Sequence, residues 1–90
     1  MIIPIHGLKY HNFNTPKIGD EVLMIKEKEN LFDPMAIAAY NKLSQKIGYI
    51  GARSNFNKKV YARMLEVFVI GFVWSIGKNQ ILVEIDMPRL

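Results

Sequence analysis

Two histidines, His6 and His11, stand five positions apart near the start of the chain, and on a single strand they would face opposite ways. No further His or acid falls at metal-ligand spacing beside them, so the sequence offers no zinc site. Ser44, Ser54 and Ser75 lack the strand-to-helix elbow, flanked by glycines, that presents a nucleophilic hydroxyl. The segment Gly48-Tyr49-Ile50-Gly51 has neither the glycine spacing nor the Lys-Ser/Thr pair of a phosphate-cradling loop. The chain has no cysteine, which removes disulfides, thiolate clusters and a cysteine nucleophile. These residues call for no metal and no cofactor, and catalysis is not expected.

Binding chemistry is better represented. In Glu29 to Ile37, ENLFDPMAI, an aromatic and a carboxylate stand side by side at a turn between two strand-like segments. Asp before Pro is a common turn pair, and Phe32 would ordinarily be core, so a purely structural account is open. The charges are segregated. From Pro34 to Leu65 there is no acid, while Lys42, Lys46, Arg53, Lys58, Lys59 and Arg63 all fall there; acids cluster from Asp20 to Asp33. With a net charge of +4, this pattern predicts one basic face and an anionic partner.

The elements that must position these residues are short. At 90 residues, half of them hydrophobic, the chain is expected to form one domain over 1–90. Ile2 to Leu8 reads as a strand in which Pro4 marks an edge or a kink. Tyr10 to Asp20 is a loop rich in Asn, Pro and Gly. Strands are predicted at Glu21 to Lys28, Ala36 to Asn41 and Lys46 to Gly51, the alanines of the third implying close packing against something bulky. Ser54 suits a helix N-cap, and Phe56, Val60, Met64 and Leu65 share the apolar side of the helix that follows. Val67 to Ile76 is a long strand in which Phe68, Ile70, Phe72, Trp74 and Ile76 share one face, with Gly71 placed for a bulge or bend. A hairpin at Gly77 to Gln80 leads to a last strand with Ile81, Val83, Ile85 and Met87 on one side. The fold class is mostly β: a small OB-like or SH3-like barrel of about six strands with one α-helix between strands 4 and 5. The opening residues lack the pattern of a signal peptide, and the longest apolar run is about half the ~20 residues of a membrane span. A soluble cytoplasmic protein is therefore expected.

With these elements in order, three segments resemble the HIRAN domain family: HGLKYHNF (His6 to Phe13), GDEVLMIKEKENLFDPMAI (Gly19 to Ile37) and KIGYIG (Lys46 to Gly51). The likeness covers nearly the whole chain, with the segments in the family's order. It implies an OB-like barrel that captures the 3′ end of single-stranded DNA without catalysis, working with a helicase or nuclease supplied by another chain. By the resemblance, Lys9 contacts a phosphate, Tyr10 stacks on a base, and Asp33 accepts a hydrogen bond from the terminal 3′-hydroxyl, with Phe32 packed beside it as part of the wall. Tyr49 lines the phosphate side, and a late aromatic contact falls to Trp74. The chain also departs from the family pattern. Lys9 stands for an arginine and loses its planar fork. His11 stands for the second aromatic of a tandem pair, and Arg53 serves one position late. A second reading remains open: a protein-interaction adaptor or homodimer module, pairing through an exposed edge near Ile2 to Leu8.

Overall fold

The computed structural model describes residues 1–50, 56–64 and 66–86. Six antiparallel strands, β1 (Ile2–His6), β2 (Glu21–Lys26), β3 (Ile37–Tyr40), β4 (Lys46–Ile50), β5 (Phe68–Ile76) and β6 (Ile81–Ile85), close into a barrel in the order β1-β4-β3-β2-β5-β6. One helix, α1 (Phe56–Arg63), lies between β4 and β5. This is the architecture the sequence predicts. Among the described residues no helix is long and apolar enough to cross a membrane.

Alternation builds the core. Ile3 and Ile5 from β1, Val22 and Met24 from β2, Ile37 and Ala39 from β3, Ile47 and Ile50 from β4, and Ile81, Val83 and Ile85 from β6 all turn inward. Val60 and Met64 of the helical segment join the same cluster, two of the four positions expected on its apolar side. Of the others, Leu65 and the Ser54 cap lie outside the described residues, as does Met87, and Phe56 is described only as the first helical residue. The Lys26 ammonium ties the end of the helix to the barrel, 3.1 Å from the Met64 carbonyl and 4.3 Å from the centre of the Tyr61 ring. Ala38 and Ala39 are fully buried, and Ala38 sits opposite Tyr49, the bulky neighbour its size anticipated.

Three expectations are corrected. β1 is not an edge: β6 pairs with it from Ile2 to Ile5 and β4 at Ile5 and His6. Among the described residues each strand of the closed barrel has a neighbour on both sides, and Pro4 is tolerated because it lies before the first residue that β4 engages. The irregularity in β5 falls not at Gly71 but at Trp74, since Val73 pairs with Val83 and Ser75 with Leu82. Gly71 faces inward, where an added Cβ would meet the Glu84 carbonyl oxygen at 2.7 Å. The bulge shifts the alternation by one, so Ile76 pairs with the buried Ile81 and leaves the stripe of Phe68, Ile70, Phe72 and Trp74. That stripe faces outward, each side chain about half exposed.

Candidate nucleic-acid interface

Gly7 ends β1 in a left-handed conformation (φ 81°), which a glycine adopts without cost, and the chain turns into a single 3₁₀ turn at Leu8–Tyr10. Sequence reasoning ran the strand on to Leu8; the turn replaces its end. Leu8 and Phe13 pack on the core, which leaves Lys9 and Tyr10 facing outward, Tyr10 76% exposed. His11 is half-buried; its Nδ1 donates to the Gly7 carbonyl at 2.9 Å, fixing the ring. This segment and the β5–β6 hairpin enclose a cleft of about 730 Å³ that holds Lys9, Tyr10 and His11 on one wall and Ile76 and Lys78 on the other.

The second segment is built by Asn30. Its Oδ1 accepts from the amides of Phe32 and Asp33, both at 2.9 Å, and its Nδ2 donates to Glu27 at 3.0 Å. Asp33 continues the turn: Oδ1 accepts from the Met35 amide at 2.9 Å, and Oδ2 from the Nδ2 of the buried Asn57 at 2.8 Å. Each oxygen still has lone-pair capacity, and the side chain is only half-buried. So rigid a loop fixes where its tip goes. Leu31 and Phe32 stand 96% and 99% exposed. The expectation that Phe32 packs into a wall is therefore corrected, because the Asn30 bonds turn its side chain to solvent at the rim. A mostly apolar cleft of about 300 Å³ lies between Phe32, Asp33 and the third segment, with Tyr49 and Ile50 on the far side.

β1 and β4 join the two clefts. His6 pairs with Tyr49 in register, and the His11 ring lies 6.2 Å from that of Tyr49, tilted by 56°. His11 lines the first cleft and Tyr49 the second. Tyr49 was expected to face phosphate, but its hydroxyl is already engaged. It donates to Glu27 Oε1 at 2.9 Å and accepts from Lys46 Nζ at 3.0 Å, while Lys46 pairs with Glu27 Oε2 at 2.8 Å. With its proton given to Glu27 and a lone pair taken by Lys46, the hydroxyl is already committed, so Tyr49 offers its ring face. Partial burial pushes the Glu27 carboxyl up, but hydrogen bonds from Lys46, Asn30 and Tyr49, with the Lys46 charge, outweigh it and hold it below its ordinary value. The Lys46 ammonium is correspondingly pushed up, chiefly by its bond to Glu27.

The expected basic face is thus diluted. Lys46 is spent on Glu27, and Lys42 lies 3.5 Å from Asp20, whereas Lys58, Lys59 and Arg63 are exposed on α1. The acidic cluster and the acid-free stretch follow one another along the chain, and the antiparallel pairing of β2, β3 and β4 folds the second back beside the first. Arg53 lies outside the described residues. Trp74 lines neither cleft. Sequence reasoning missed Lys78, Asn30, Glu27 and Asn57. Only Asn30, as part of an Asx-rich turn, carried a recognisable signal.

No family model and no curated protein matches this sequence. The chain is similar in fold to a protein from Lactobacillus plantarum whose crystal structure came from the Northeast Structural Genomics Consortium, with a TM-score of 0.74 and 22% identity over 96% of this chain and 86% of that one. At that identity the likeness speaks for the barrel alone.

Proposed function

We propose that this protein is a non-catalytic HIRAN-like module that binds single-stranded DNA and holds its 3′ end. The observation that carries the reading is the junction of the two clefts at His11 and Tyr49, with an exposed aromatic, Tyr10 or Phe32, at the rim of each. A base stacked on an aromatic ring contributes ~1–3 kcal/mol whatever its identity. Lys9 and Lys78 border the first cleft and suit backbone phosphates, and Arg53 is the further phosphate contact by resemblance. Asp33 suits a terminal hydroxyl through its remaining lone pairs. Its charge would oppose the extra phosphate of a strand that continued past it. Phe32 is a stacking surface in this reading, not a wall. The module acts in the cytoplasm, in DNA repair or a related process, with any helicase or nuclease supplied by another chain.

A fluorescence-anisotropy titration tests this with oligonucleotides bearing a free, a 3′-phosphorylated or a recessed 3′ end, at two salt concentrations. The expected result is salt-sensitive binding in the micromolar range for the free end, weakened at least about tenfold by the 3′-phosphate. Equal affinity for free and phosphorylated ends removes the end-sensing role of Asp33. Absence of binding to all three sinks the DNA reading.

A further inference from the structure

On the side of the barrel opposite β4, the outer face of β5 carries Phe68, Ile70, Phe72 and Trp74 in one stripe, each 46–52% exposed. Partly buried Leu23 and Ile25 of β2 extend it, facing Ile70 and Phe68 across the sheet. Together these side chains offer roughly 400 Å² of apolar surface, at the size where a contiguous patch marks an interaction site.

The rim tells what fits. Phe72 has a glutamate on each side, Glu21 on β2 and Glu84 on β6, both exposed and both its register partners. Asp86 follows the Ile85–Gly71 pair at the same end, and exposed Glu66 precedes the strand. Lys42 borders a recess with Leu23 and Ile70, but its ammonium is turned to Asp20. Among the described residues, β5 and its register partners on β2 and β6 include no Lys or Arg. Four carboxylates repel a nucleic acid. They also count against a second copy, whose own carboxylates would enter the same interface, and the stripe is about half the ~800 Å² per partner that a standard stable interface covers.

We propose that this face docks a short basic-apolar segment of another protein, apolar side chains on the β5 stripe and flanking Lys or Arg on Glu21 and Glu84. The four stripe side chains line neither cleft, although the first cleft begins at Ile76, two residues beyond Trp74 on the same strand, and the proposal is independent of the DNA reading.

Trp74 is the chain's single tryptophan and reports directly on the face. The probe is a synthetic amphipathic helix of Leu and Lys, compared with its Leu and Glu counterpart. The Leu/Lys peptide is expected to shift Trp74 emission to the blue, saturably and at one peptide per chain. The Leu/Glu peptide binds at least tenfold more weakly. Combining Glu21→Lys with Glu84→Lys, exposed changes that spare the core, reverses that preference, and Phe72→Ser weakens both peptides. Circular dichroism confirms that each variant folds. Four results overturn the proposal: no binding, equal binding of both peptides, an unchanged preference after charge reversal, or an emission shift produced by single-stranded DNA. Sedimentation of the free protein as a dimer that Phe72→Ser dissociates also overturns it, since a second copy then takes the face.

Discussion

Asn57 of α1 reaches across 24 positions of sequence to Asp33, its Nδ2 donating to Oδ2 at 2.8 Å and to the Met35 carbonyl at 3.2 Å. The carboxylate that the DNA reading needs is thus also the pin between helix and loop. Asn57→Ala strips a half-buried carboxylate and a carbonyl of one donor each and is expected to cost ~1–3 kcal/mol in urea unfolding. Because Asp33→Ala breaks the same bond, its effect on DNA is interpretable only beside Asn57→Ala. If Asp33 touches the terminus, Asp33→Ala weakens anisotropy-measured binding clearly more than Asn57→Ala does.

Tyr10 and Phe32 give a cleaner separation of folding from binding. At 76% and 99% exposure they contribute little to the core, so Tyr10→Ala and Phe32→Ala should leave the unfolding midpoint within about 0.5 kcal/mol of the parent. Each should nevertheless weaken single-stranded DNA binding by ~1–3 kcal/mol, the worth of one stacked base. Titration and unfolding of the same preparations check both halves.

The barrel was legible because its signals are local. Alternating Ile and Val, the Gly77 to Gln80 turn and the single helical period each specify an element without reference to its neighbours. Trp74 was not legible as the bulge, since only its cross-strand partners fix where the register slips. The same limit hid the sheet's outward stripe: alternation shows that Phe68, Ile70, Phe72 and Trp74 share a face, not which face. At the candidate site, the family resemblance pointed to Lys9, Tyr10 and Asp33, but burial and prior commitments decided the rest. Phe32 is solvent-facing because Asn30 holds the loop, and the Tyr49 hydroxyl is withdrawn by Glu27 and Lys46. Asn30 sits in the same turn as Phe32 and Lys46 on the same strand as Tyr49, but Glu27 follows β2 and meets Tyr49 only through the fold, so spacing along the chain carries no trace of that bond.

The Glu27–Lys46 pair sets an expected pH dependence. Glu27 is held below its ordinary value of 4.5, so its contribution to stability is present above that pH and lost as pH falls through the lower folded value. Lys46 is held above its ordinary value of 10.5, so its contribution is present below that pH and lost only in stronger alkali. Between the two limits the pair should leave stability flat. With the Lys46 and Glu27 side chains 30% and 23% exposed, Glu27→Gln is expected to cost ~0.5–1 kcal/mol at neutral pH and to flatten the acid limb below 4.5. Urea midpoints measured from neutral pH down through that limb check it.

Lys78 joins the first cleft only because the Trp74 bulge and the Gly77 turn bring the β5–β6 hairpin over the Leu8–Tyr10 turn. Its ammonium has no role in the core, so Lys78→Ala should leave folding unchanged. If a strand entering the cleft lays a phosphate against it, one counterion fewer is released in the variant. The slope of log affinity against log salt should then fall by about 0.7, the value for one phosphate on a single strand. The loss should be the same for every base composition, because a phosphate contact reads no sequence. A variant with unchanged slope would put the strand's path elsewhere, leaving Lys9 as the first cleft's cation.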